Sequence, residues 1–187
     1  MTKKEIEKVI SAGIETPKST VLARVILHEL NDAKWATELM EETFAHPEAE
    51  DGVEALKFLL KDLKQEALAR KLLKSNTVNL YGIDEFTAFA DFILKDLKDK
   101  DWAIELIEEG IANIKNNNTE EEDICIEFCK AAVYVKHNFK DSKWSSDILN
   151  SAIKKTTTDY VAEQMISEYK KEFNPEQLTL LKKIATK

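Results

Sequence analysis

Three tryptophans, Trp35, Trp102 and Trp144, occupy one position of a recurring phrase. The phrase reads LNDAKWATEL over 30–39, LKDKDWAIEL over 97–106 and FKDSKWSSDI over 139–148. Each copy opens on an apolar residue, crosses a mostly polar stretch to Trp, and continues small, variable, acidic, aliphatic. A weaker copy, LKQEALARKL over 63–72, carries Leu68 at the Trp position. Such self-similarity constrains the fold more than local propensity does, because every copy must build the same supersecondary unit. The opening residues Leu30, Leu63, Leu97 and Phe139 are separated by 33, 34 and 42 residues. An insertion over IKNNNTEEED (114–123) accounts for the long step, and removing about eight residues there restores a period near 34. Phe173, another 34 residues on, opens a degenerate fifth copy. In it Asn174 is a good N-cap and Pro175 suits the first helical position.

A second pattern lies upstream of each opening residue. Five places before stand Val25, Phe58, Phe92 and Tyr134; four before, Ile26, Leu59, Ile93 and Val135; seven before, Ala23, Leu56, Ala90 and Ala132. Offsets of three and four residues trace one apolar helix face. Each unit therefore reads as a helix A, a short polar turn and a helix B. Asp32, Asp99 and Asp141 in the turns are placed to cap helix B, whose first N–H groups otherwise lack partners. In helix B the fourth and fifth residues after the Trp position are aliphatic in every copy, and the residue just after it is small: Ala36, Ala69, Ala103 and Ser145. One helix pair cannot bury such a stripe alone, whereas stacking the next pair buries it.

These patterns predict helices near 3–14, 17–30, 33–45, 50–62, 65–75, 83–97, 100–115, 120–138, 142–156, 159–172 and 175–185. Gly82 fits a turn between units, and Asn116–Thr119 is the clearest loop. The expected fold is all-α, a right-handed α-solenoid of about five antiparallel helix pairs in a single domain. Its repeat units span 16–48, 49–82, 83–118 and 119–157, with 1–15 and 158–187 as caps. Only 4 Gly and 3 Pro in 187 residues agree with long helices and short connections. Trp35, Trp102 and Trp144 are read as structural markers of the repeat that pack between helices.

The unit resembles HEAT-type α-helical repeats, particularly the short bacterial form, in ILHELNDAKWATELMEE, FLLKDLKQEALARKLLK and FILKDLKDKDWAIELIEE. That form pairs an apolar helix A and an "LxDxxA" turn with an amphipathic helix B. The likeness covers roughly residues 17 to 156, without the prolines and arginines of many HEAT units. Tetratricopeptide repeats share the 34-residue period and rank second, because their Trp–x–x–Leu–Gly–x–x–Tyr helix is absent. Both resemblances imply paired helices that present a surface to partners.

Charge and composition narrow the function classes. A net charge of −8 argues against nonspecific nucleic-acid binding, which relies on clustered Lys and Arg. The only arginines are Arg24 and Arg70, so bidentate phosphate clamps are scarce. No apolar run reaches membrane-spanning length and MTKKEIEKVI lacks a secretory core, so a cytoplasmic protein without membrane contact is expected.

Candidate chemistry is sparse. His28–Glu29 matches one ligand pair of a HEAT-repeat class of iron hydroxylases, but the equivalent positions carry Lys61–Asp62, Lys95–Asp96 and His137–Asn138. One complete pair cannot hold a di-iron centre, so no metal or cofactor is expected. Cys125 and Cys129 share a helix face in the apolar run ICIEFCKAAVYV and read as core residues. His46, before Pro47, reads as a complement to the end of a helix. No Gly-rich phosphate loop or activated nucleophile motif is present. The surface feature with most content is a row on helix B. Three places after the Trp position stand Glu38, Lys71, Glu105 and Asp147; six after, Glu41, Lys74, Glu108 and Asn150. Stacked, these form a ridge that is acidic in the first and third copies, basic in the second and weakly acidic in the fourth. The expectation is a non-catalytic scaffold for a protein or peptide partner, bound through Glu38, Glu41, Lys71, Lys74, Glu105 and Glu108. The alternative is a HEAT-like enzyme of the lyase or glycosylase kind, which requires a basic groove if it acts on nucleic acid.

Overall fold

The computed structural model describes residues 4–6, 8, 16–44, 49–77, 80–116 and 120–186, and among them there is no β-strand. Its helices are α1 (Thr16–Glu29), α2 (Ala33–Thr43), α3 (Ala49–Lys61), α4 (Glu66–Asn76), α5 (Ile83–Phe92), α6 (Lys100–Asn116), α7 (Glu121–Tyr134), α8 (Ser142–Lys155), α9 (Asp159–Tyr169) and α10 (Pro175–Ile184). Two of them run on as a π-helical turn: α5 into Ile93–Leu97, and α7 into Val135–Phe139. Contacts cluster in two compact units, Met1–Leu80 with Asp91–Lys100, and Tyr81–Ala90 with Asp101–Lys187. In the first unit α1 packs on α2 and on α3, and α3 packs on α4. In the second, α7 packs on α8, α9 on α10, α9 on α7 and α10 on α8.

The repeat is written in the backbone as well as in the side chains. Among the described residues, the non-glycine residues with positive φ are Asn31, Lys64, Lys98 and Lys140, each immediately after the opening residue of a copy. The N–H groups of Asp32, Gln65 and Asp99 reach back to the carbonyls of Ile26, Leu59 and Ile93, at 3.3, 2.9 and 3.2 Å. A left-handed residue followed by a bond to the carbonyl six residues back is a closure one residue wider than the Schellman motif, and it likewise satisfies a carbonyl left open at the end of a helix. Three of the four left-handed residues are lysines, so backbone hydrogen bonding fixes these turns without glycine's help.

Capping agrees with the expectation at Asp32 and Asp141, while Asp99 accepts from Arg70. Asp32 accepts from the Trp35 N–H at 3.0 Å, and Asp141 from the Trp144 N–H at 2.8 Å. Asn174 and Gln177 form a reciprocal capping box at the start of α10, with Pro175 in the first turn. Gln177 is buried and also donates to Asn150 at 2.8 Å and to Ser146, which ties α10 to α8.

Burial follows the repeat register. The residues four and seven places before each opening residue are fully buried in all four copies. So are the small residue after the Trp position and the aliphatic residue five places after it. The tryptophans themselves are half-buried. Trp144 stacks on Phe139 with ring centroids 5.8 Å apart, and Phe139 meets Tyr134 edge-on at 5.8 Å. The small residues therefore sit deepest in helix B, and the Trp144 indole lies over Phe139 at the turn.

The helices on either side of the third copy's insertion match their expected ranges, 100–115 and 120–138, within a residue or so at the insertion. α6 runs 17 residues to Asn116, against 11 for α2 and for α4, and it buries Ile111 and Ile114. Apolar residues at helical spacing extend the helix before the polar Asn run begins. Residues 117–119, His46 and Pro47, and most of the expected 3–14 helix lie outside the described residues. Gly110 in α6 meets a close approach from α5: a Cβ there falls 2.7 Å from Cγ of Phe86. Gly82 lies in the bend before α5, where its carbonyl accepts from the Glu85 N–H at 3.1 Å.

Candidate binding cleft

The six helix B residues singled out by the repeat are all exposed. Glu38 and Glu41 lie on α2, Lys71 and Lys74 on α4, and Glu105 and Glu108 on α6. Glu38 pairs with Lys34 one turn earlier at 3.4 Å, a solvent-exposed contact of small energetic weight. The first four belong to the first compact unit and the last two to the second.

The described cavity lies on helices A instead. A cleft of about 310 Å³ opens over α5, α7 and α9 of the second unit. Helix α7 and its π turn contribute Lys130, Val133, Tyr134, His137 and Asn138. Their spacing of three, four, seven and eight residues is that of one helix face. Asp84 and Thr87 of α5 form one side, and Tyr169 at the end of α9 the other. The π turn shapes this floor. A π turn pairs residues five apart and is a common feature of functional sites. Asn138 donates its side-chain N–H to the Tyr134 carbonyl at 3.2 Å within it.

An ionic cluster anchors one end. The Lys130 ammonium donates to Asp84 at 2.5 Å and to Glu127 at 3.2 Å. Glu127 reaches from α7 to accept the Ile83 N–H at 2.5 Å, which satisfies a donor at the start of α5. Burial works against the charge on Lys130, but its hydrogen bonds to Asp84 and Glu127 outweigh that and hold its pKa above the ordinary lysine range. Burial pushes the Tyr169 phenol up, and Cys129, Glu168 and Asp84 add to the effect. The opposite end of α9 is held by Glu121 of α7. Its carboxylate accepts from the backbone N–H of Thr157 at 2.5 Å and of Thr158 at 3.1 Å, and from the Thr157 hydroxyl.

His28 and Glu29 are exposed at the end of α1. At the equivalent positions Lys61 pairs with Asp96 at 2.6 Å and Lys95 with Asp91 at 2.5 Å. Among the described residues no group of three or more His, Cys, Asp or Glu is disposed to hold a metal ion. Cys125 and Cys129 are buried, and burial raises both thiol pKa values. Cys125 contacts the Thr156 hydroxyl at 3.4 Å and the Ala152 carbonyl at 3.6 Å. Among the described residues no helix is long and apolar enough to cross a membrane.

Sequence reasoning placed the binding surface on helix B and did not single out Asp84, Lys130, Tyr134 or Tyr169. Two of these had a signal. Tyr134 stands where other copies have Val25, Phe58 and Phe92, and Tyr169 stands four places before Phe173, where they have only aliphatic residues. A hydroxyl added at an otherwise apolar repeat position marks a change of surroundings. No protein-family model, curated protein or solved structure matches this chain.

Proposed function

We propose that this chain is a non-catalytic helical-repeat scaffold, a right-handed α-solenoid that binds a protein or peptide. The cleft over α5, α7 and α9 carries the reading: it is open, built on the helix A faces of consecutive copies, and lined by tyrosines with a few polar groups. Packing of like on like within each unit supports the stacked arrangement, with α1 on α3, α7 on α9 and α8 on α10. Two buried thiols with raised pKa values are poor nucleophiles, which favours binding over covalent catalysis. The lysine of the cleft lies between two carboxylates, a poor start for the basic groove of a nucleic-acid enzyme.

The test is capture and cross-linking on the full chain. A partner recovered on the wild type is purified and titrated against two folded variants by calorimetry. One reverses charge on helix B (Glu38→Lys, Glu105→Lys, Glu108→Lys), and the other alters the cleft (Tyr169→Leu). Saturable binding weakened at least about tenfold, or about 1.4 kcal/mol, by one of the variants supports the reading. A partner indifferent to both, or none that saturates, defeats it.

A further inference from the structure

We propose that the cleft over α5, α7 and α9 receives an arginine side chain of a peptide partner, its guanidinium directed to Asp84 and packed against Tyr134 and Tyr169. The proposal rests on the reading of the chain as a peptide-binding scaffold and names what the cleft takes.

Charge favours a cation over an anion. Lys130 is the cation nearest the site, and Asp84 and Glu127 already hold it at 2.5 and 3.2 Å. Lys136, on the π turn, is held by Glu172 at 2.8 Å. An anionic ligand would have to break one of these pairs to reach a lysine of α7 or its π turn. The acidic groups outnumber their cation: Asp84, Glu127 and Glu168 stand around Lys130 and Tyr169, and Asp84 and Glu168 are exposed. The Asp84 side chain, 70% exposed, engages Lys130 through Oδ2 and has a second oxygen with which to accept from a ligand.

Shape and surface select the kind of cation. About 310 Å³ is at the lower limit of small-molecule pockets, enough for one long side chain and not for a nucleotide cofactor. The lining is mostly apolar, which suits an aliphatic stem, and tyrosine rings attract a cation through their faces. Arginine is favoured over lysine because a planar guanidinium can stack on a ring and present parallel N–H groups to a carboxylate at once. His137 and Asn138 at the rim add polar groups for the peptide flanking that side chain.

The experiment uses the full chain, labelled with ¹⁵N, and N-acetyl-arginine N′-methylamide as probe. The neutral citrulline counterpart and the N-acetyl-glutamate counterpart serve as comparisons. The expected result is saturable amide shifts at Thr87, Val133, Asn138 and Tyr169 with a millimolar Kd. Citrulline should bind at least about tenfold more weakly, and so should the arginine probe to Asp84→Asn or Tyr169→Leu proteins whose spectra otherwise persist. Citrulline binding as well as arginine, glutamate shifting the same amides, or no saturable shift at the cleft each overturns the proposal. If the arginine probe fails while a captured partner remains sensitive to reversal at Glu38, Glu105 and Glu108, the cleft assignment falls and the scaffold reading stands. Arginine binding by a chain that captures no partner leaves the cleft chemistry in place and removes the scaffold.

Discussion

The two π-helical turns, Ile93–Leu97 and Val135–Phe139, occupy the same place in the repeat and end on the same left-handed lysine, Lys98 or Lys140. Their surroundings differ. Around the first, charged side chains from earlier helices close over the turn. Lys61 of α3 reaches Asp96 at 2.6 Å, and Arg70 of α4 reaches Asp99 at 2.9 Å and the Leu97 carbonyl at 3.5 Å. Around the second, Asn138 satisfies a carbonyl of its own helix, Tyr134, Phe139 and Trp144 form an aromatic stack, and the cleft opens beside it. One backbone device thus supports a sealed junction in one copy and an accessible concavity in another. Side chains contributed by neighbouring helices decide between the two.

Three substitutions sharpen that contrast. The largest effect is expected at Phe139, which is buried and joins the aromatic stack. Phe139→Ala should destabilise by about 3–5 kcal/mol, and the equivalent Leu97→Ala by about 2–4 kcal/mol, in chemical denaturation. Equal losses would show that the stack adds nothing beyond burial. Next is Arg70→Ala, which removes the closure of the first turn. A loss of about 1–2 kcal/mol is expected, because the guanidinium contacts a carboxylate and a carbonyl together at a partly buried site. Amide exchange should quicken over 93–99 and stay unchanged over 135–141; equal quickening at both turns would end the contrast. The smallest effect is at the left-handed lysines. Lys98→Gly and Lys140→Gly should each stabilise by up to about 1 kcal/mol, seen as a small rise in Tm. A fall in Tm at either would mean that the lysine stem contributes more there than its backbone costs.

Much of this architecture was legible because it is periodic. Apolar offsets of three and four residues located α1–α10 closely, and Asp32, Asp141 and Asn174 announced the starts of their helices. The π turns were not legible, because the apolar residues four, five and seven places before the opening residue are the same whether a copy ends in α or π geometry. The end of α6 was legible, because the Asn run that follows it marks the expected limit at 115, one residue short of Asn116. For the cleft, Tyr134 and Tyr169 were visible as departures from the repeat. The contact of Lys130 with Asp84 spans 46 residues and arises from the packing of α7 beside α5, which no local pattern specifies. The helix B row was legible as exposed charge, and exposed charge alone does not form a concave site.

The lysines at the left-handed positions give the connections an unusual mutational economy. A turn specified by backbone hydrogen bonds has no indispensable residue to lose, so its sequence can drift while the flanking helices keep their phase. Added length then falls within a helix, as in α6, and leaves the junctions unchanged. For engineering, this makes the stretch between two junctions a natural cassette: a segment cut at Lys64 and Lys98 can be duplicated or exchanged with both splice points falling on equivalent backbone.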